Sequence, residues 1–236
     1  MADFPKTMSK TALIIASDGS EDIELTVVSD VLRRANVEVT IASLQNKPTI
    51  ELARKLKINV DKLLNEVKDT EFDAVILPGG QPGSDNLAAD ATVGEVLRRH
   101  EAAGKIVAAI CAAPIAFKAH GIAKGGVLTS YPSFGDRLKE GGYQYSEDRV
   151  VVYKSVVTSR GPGTAFDFAL KIVQLLAGDE VAQKVRSAML LTPNWRNLAE
   201  LDQVNAGAKQ LELVAAQIPG PSNDLEKPGQ GVDGPL

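Results

Sequence analysis

The 236-residue chain is 44% hydrophobic and 24% charged, with a formal net charge of −4, the composition of a soluble globular protein long enough to bury a full core. Without a basic excess it is not expected to bind nucleic acid, and its apolar run from Ile106 to Phe117 falls short of the roughly 20 residues that span a membrane. One cysteine and two histidines exclude an internal disulfide and a structural zinc site, so no metal is expected.

Along the chain, MADFPKTMSK has neither the basic start nor the apolar centre of a secretory signal. Residues 1–9 read as an arm, and the expected compartment is the cytoplasm. Val- and Ile-rich strands are expected at Ala12 to Ala16, Val37 to Ser43, Asp73 to Pro78, Lys105 to Ile110, and the pair Val150 to Val152 and Val156 to Ser159. Between them, 3.6-residue periodicity predicts helices over Ile23 to Ala35, Val93 to Ala103, Pro114 to His120 and Ala165 to Leu176. Such alternation implies a mostly parallel, doubly wound sheet sandwiched by helices. Residues 45–60 read as a short extended excursion, and Tyr131 to Tyr145 as a loop-rich lid with a short helix. The α/β domain is expected to span 10–192. The extension over 193–236 holds an amphipathic pattern at 197–217 and a Pro- and Gly-rich tail at 219–236, which reads as disordered.

Four segments carry chemistry. In KIVAAICAAPIAF, residues 105–117, Cys111 sits where a buried strand turns into a helix. A lone thiol without such context is a small buried apolar residue. At the carboxyl edge of a parallel sheet, beside helix amides, its pKa is expected to fall from about 8.5 into the range of a neutral-pH thiolate. The small Ala112, Ala113 and Ala116 let amides approach a substrate oxygen. In DAVILPGGQPG, residues 73–83, the strand ends in Gly79 and Gly80. The segment is a plain turn unless the Gly80 amide joins that of Ala112 as an oxyanion hole. In SDGSEDIE, residues 17–24, Glu21 and Asp22 are expected only to complement the helix dipole, while Glu24, one turn further in, is placed to exchange protons with the sulfur. In TSRGPGT, residues 158–164, Thr164 caps the next helix and Arg160 is a candidate anion or subunit contact.

Taken in order, ILPGGQPG, AAICAAP, Glu24 after Gly19 and Ser20, GGYQYSEDRV and TSRGPGTAF resemble the Parkinson-associated glyoxalase and deglycase family, within the ThiJ/PfpI superfamily related to class I glutamine amidotransferases. The similarity covers residues 10–191. It implies a flavodoxin-like fold, a homodimer and no cofactor. Cys111 would be the nucleophile and Glu24 its protonated partner, with Gly80 and Ala112 as oxyanion donors beside Gly79. Gly161, Pro162 and Arg54 would border the pocket from one or both subunits. Many members carry a histidine where TSYP places Tyr131, which leaves Glu24, Tyr131 or water to move protons. His120 is expected to be a packed helix residue. The family also adds nuclear and mitochondrial locations to the cytoplasmic one.

The expected partners are small reactive aldehydes, or glycated amines and thiols. The expected reaction is glutathione-independent conversion of methylglyoxal to lactate, with deglycation by the same steps. The competing expectation is a redox sensor or chaperone-like protein whose cysteine is oxidised to a sulfinate.

Overall fold

A computed structural model describes residues 9–191. The expected helix over 197–217, the tail over 219–236 and most of the arm lie outside the described residues.

The chain opens with strand β1 (Thr11–Ala16), helix α1 (Asp22–Arg34) and strand β2 (Glu38–Ser43). Short elements follow: strands β3 (Thr49–Glu51), β4 (Lys57–Asn59) and β5 (Lys62–Leu63), then helix α2 (Leu64–Val67). The middle of the domain is β6 (Ala74–Leu77), α3 (Gly83–Ala89), α4 (Ala91–Ala102), β7 (Ile106–Ile110) and α5 (Pro114–His120). The last stretch comprises β8 (Val127–Leu128), α6 (Gly135–Glu140), β9 (Gln144–Tyr145), β10 (Val150–Tyr153), β11 (Val156–Ser159), α7 (Ala165–Ala177) and α8 (Asp179–Ala188).

Seven strands form the main sheet in the order β10-β11-β7-β6-β1-β2-β5. Every neighbouring pair is parallel except β10 with β11, which form an antiparallel edge hairpin. This is the doubly wound, flavodoxin-like arrangement expected from the sequence. Its cause is visible in β1, where side chains alternate between faces. Ala12, Ile14 and Ala16 enter a core shared with α1, α7 and α8, while Leu13 and Ile15 enter the opposite core with α4 and α5. A strand buried on both faces has no polar side, which is why TALIIA reads as a continuous apolar run. Each fully buried Leu or Ile contributes about 1.5–3 kcal/mol. Among the described residues, no helix is long and apolar enough to cross a membrane.

Three local features differ from the sequence expectation. Residues 45–60 form a true hairpin, β3 paired with β4 from Thr49↔Asn59 to Glu51↔Lys57. The lid candidate is packed more firmly than a loop, since β9 pairs with β8 and the Tyr145 hydroxyl donates to the Ser130 carbonyl at 3.1 Å. Helices α3 and α8 were not expected. Gly83 and Ser84 mask the start of α3, and α8 buries only Ala182 and Val185, too narrow a stripe to stand out.

Because β1, β6, β7 and β11 run parallel, their carboxyl ends share one edge of the sheet. That edge brings together the 17–21 turn, Gly79 and Gly80, Cys111, and the 160–164 turn.

Candidate functional site

Cys111 is the first residue after β7, and its φ of 65° lies in the left-handed region, a conformation that costs a non-glycine residue about 1–3 kcal/mol unless its surroundings fix it. Here they do. The Cys111 N–H donates to the Ser159 carbonyl at 3.0 Å, and its own carbonyl accepts from the Tyr131 N–H at 2.8 Å. The chain is pinned between β11 and the 129–132 segment, and the side chain is turned out of the strand into a half-buried position.

Glu24 approaches from α1 and is fully buried. Three hydrogen bonds hold it in a closed circuit. The Gly79 N–H donates to Glu24 Oε2 at 2.8 Å, the Glu24 N–H donates to Glu21 Oε2 at 2.8 Å, and the Glu21 N–H donates to the Gly79 carbonyl at 2.9 Å. Buried Oε1 of Glu24 is left without a hydrogen-bond partner of good geometry. The Cys111 thiol is close enough that each group shifts the other's titration.

The glycines explain this closeness. A Cβ on Gly79 would fall 2.6 Å from both Cys111 Cβ and Glu24 Oε2, so no larger residue fits between them. Gly80, at φ +88°, would set a Cβ against the Gly19 carbonyl and the Glu21 amide. Gly79→Ala is therefore expected to separate the carboxyl from the thiol. Alkylation kinetics of Cys111 and thermal melting check this, with the alkylation rate expected to change and the fold retained.

The titration differs from the sequence expectation. Burial is the main force on Glu24 and lifts its carboxyl from 4.5 to about 7; the Gly79 amide opposes the rise, the Glu21 charge adds to it, and the Cys111 contact lowers it slightly. Burial also leads for Cys111, followed by the Glu24 charge and the contact with its carboxyl. Together they push the thiol up to about 12 against the pull of the Gly80 and Ala112 amides. The low thiol pKa expected from a helix N-terminus is thus corrected, because α5 has only seven residues and the dipole of so short a helix is outweighed by desolvation. Two of the three upward pushes on the thiol exist only while Glu24 is ionised. Once the carboxyl holds a proton they vanish, and the amides of Gly80 and Ala112 act on the sulfur with less opposition. The titration of each group therefore depends on the other, and the pair loses its first proton near 7.

The remaining predicted residues are placed as follows. Tyr131 is 46% exposed, hydrogen-bonded to Cys111 through its backbone, and its ring lies 3.5 Å from where a Cβ of Gly161 would stand. Gly161 is buried, with its N–H on Thr164 Oγ1 at 3.0 Å, and Pro162 is half-buried beside it. Thr164 Oγ1 also accepts from the Arg160 N–H at 3.2 Å, so it closes the turn before α7, and the helix-capping bond expected of its side chain is not made. Arg160 reaches the Glu147 carbonyl at 3.0 Å. Arg54 lies exposed in the turn of the β3–β4 hairpin. That hairpin is tied to the site's floor by Ala53 N–H on the Ser20 carbonyl at 2.8 Å and by Arg54 N–H on the Asp22 carboxylate at 2.7 Å. His120 packs as expected, its Nε2 3.0 Å from the Leu87 carbonyl.

Sequence reasoning gave Glu21 only a dipole role and missed its place as the buried cap of α1. Ser, Thr, Asp and Asn are the preferred helix caps, yet here Glu21 takes the position. The only available signal was its three-residue offset from Glu24.

Comparison with known proteins finds relatives over most of the described domain. The DJ-1/PfpI family model matches residues 10–175. Protein dj-1beta of Drosophila melanogaster is 44% identical over 188 residues, covering 79% of this chain and all of that protein. Its crystal structure superposes with a TM-score of 0.76 over 78% of this chain and 98% of that one. The Parkinson disease protein 7 homolog of Danio rerio is 44% identical over 77% of this chain and 97% of its own length. The glutathione-independent glyoxalase DJR-1.2 of Caenorhabditis elegans is 40% identical over 77% of this chain and 97% of its own length.

Proposed function

The chain belongs to the DJ-1/PfpI family, and from that premise we propose that it is a glutathione-independent glyoxalase with Cys111 as nucleophile and Glu24 as proton carrier. The observation that carries this reading is the buried Glu24 carboxyl, tuned to about 7, facing a half-buried thiol on a strained turn.

The chemistry follows from the shared proton. With the proton on Glu24, the sulfur is an anion and adds to the aldehyde carbon of methylglyoxal. The resulting oxyanion takes up a proton to give a hemithioacetal, and the amides of Gly80 and Ala112 stabilise the developing charge. Ionised Glu24 then removes the hydrogen on the former aldehyde carbon, giving an enediol whose charge the same amides hold. Returning that proton to the neighbouring carbon leaves a lactoyl thioester on Cys111. Water hydrolyses the thioester to lactate and frees the thiol. The sum is methylglyoxal plus water to lactate, with no redox partner. A carboxyl near 7 suits both halves, since a group that must give and take a proton works best when its pKa lies near the operating pH. Deglycation uses the same steps, with the dicarbonyl already joined to an amine or thiol that leaves on attack.

Purified protein is expected to form lactate from methylglyoxal in buffer free of glutathione and added metal, in an enzymatic lactate assay. Formation that requires glutathione would contradict the proposal.

A further inference from the structure

Among the groups outside the Cys111–Glu24 pair, Glu21 has the least ordinary setting. A carboxylate capping a helix usually lies in solvent, but Glu21 is only 8% exposed and its two backbone-directed bonds run into the site. Its Oε2 accepts the Glu24 N–H at 2.8 Å, and its N–H donates to the Gly79 carbonyl at 2.9 Å. That same peptide region meets Glu24 and Cys111 on its other side, where the Gly79 N–H holds Glu24 Oε2. A neutral cap such as serine would satisfy the helix equally well. What it would not supply is a fixed negative charge within one helical turn of the reacting carboxyl.

We propose that Glu21 is a positioning residue for this chemistry: it aligns the Gly79–Gly80 loop through its backbone and, through its charge, biases the pair toward the form with the proton on Glu24. The role rests on the reading of the pair given above and extends it. Three groups face the Glu24 carboxyl: the Gly79 amide at the end of β6, the Cys111 thiol at the end of β7, and the Glu21 carboxylate on its own helix. Of these only Glu21 is a second carboxylate, and a like charge nearby disfavours the ionised form. The effect on Glu24 is upward, and each increment that holds a proton there leaves the sulfur more often anionic.

The test is carbon-13 NMR titration of the Glu24 carboxyl, with the rate of Cys111 alkylation by iodoacetamide at pH 7 measured on the same samples. Glu21→Gln and Glu21→Ser remove the charge and keep an oxygen for the Glu24 N–H, and Ser is a preferred cap should Gln fold poorly. Glu21→Asp keeps the charge. Both neutral variants are expected to lower the Glu24 midpoint by about half a unit and slow alkylation about threefold at unchanged melting temperature, and Glu21→Asp to stay near the wild-type midpoint. A midpoint unmoved in the neutral variants, or moved equally in Glu21→Asp, would reduce Glu21 to a helix cap and overturn the inference. Neither readout uses an aldehyde. A shifted midpoint in a protein that makes no lactate thus supports the positioning role while counting against the glyoxalase reading alone.

Discussion

Cys111→Ser is expected to lower lactate formation from methylglyoxal by at least about a thousandfold, to a rate indistinguishable from buffer. Oxygen replaces sulfur with little change in volume, and the left-handed turn is held by backbone bonds to Ser159 and Tyr131 that a serine keeps. The melting temperature should therefore stay within a few degrees. What is lost is nucleophilicity: a hydroxyl does not ionise near neutrality, and Glu24 at about 7 is too weak a base to make it do so. Lactate assays alongside thermal melts separate the two effects. A Cys111→Ser protein that still turned over would remove the thiol from the mechanism.

Glu24→Gln is expected to lower kcat by about 10²- to 10⁴-fold while sparing the fold. The amide oxygen can still accept from the Gly79 N–H, but no proton can be carried between the two carbons. Iodoacetamide should nevertheless still modify Cys111, because alkylation needs only the thiolate. The variant should also be more stable than wild type at and above neutral pH. The sign follows from the carboxyl's rise from 4.5 to about 7 on folding. Between those values the unfolded chain has already released the proton that the folded protein retains, so stability falls as pH climbs through that window. At about 1.4 kcal/mol per unit the cost is on the order of 3 kcal/mol at pH 7 and above, and glutamine does not incur it. Melting curves of both proteins at pH 5 and pH 8 should diverge only at the higher pH. A stabilised but inactive variant is the pattern expected where a strained or desolvated group is kept for chemistry.

Much of this was legible in the sequence for identifiable reasons. The doubly wound sheet could be read because β1, β6 and β7 are buried on both faces and so leave unbroken apolar runs. The position of Cys111 could be read because such a run ends directly at the cysteine before alanines and a proline. Glu24 was legible as a candidate from its place one turn into the first helix. Its distance from the sulfur was not, since α1 meets the Gly79 loop across 55 residues of chain, and periodicity carries no information about where two strand ends meet. The sign of the thiol shift failed for a related reason. A strand-to-helix turn suggests a stabilised anion, but burial and a neighbouring carboxylate are properties of the packed molecule and here outweigh a short helix. Glu21 was read as a dipole partner because nothing local marks a glutamate as buried. The β3–β4 hairpin was visible only as an extended excursion, because the charges that blur its alternation are partners in ion pairs, Lys55 and Lys57 each with Glu51.

The pH dependence of Cys111 alkylation tests the central claim, a proton shared between carboxyl and thiol, most directly. Wild-type protein is expected to react in two steps. The rate should rise with a midpoint near pH 7, as the pair loses its first proton, level off above it, and rise again only in strong alkali. Glu24→Gln should collapse the profile to one inflection. A wild-type profile that stays flat through neutrality and climbs once, above about pH 9 as for an isolated buried thiol, would contradict the shared proton and the chemistry built on it.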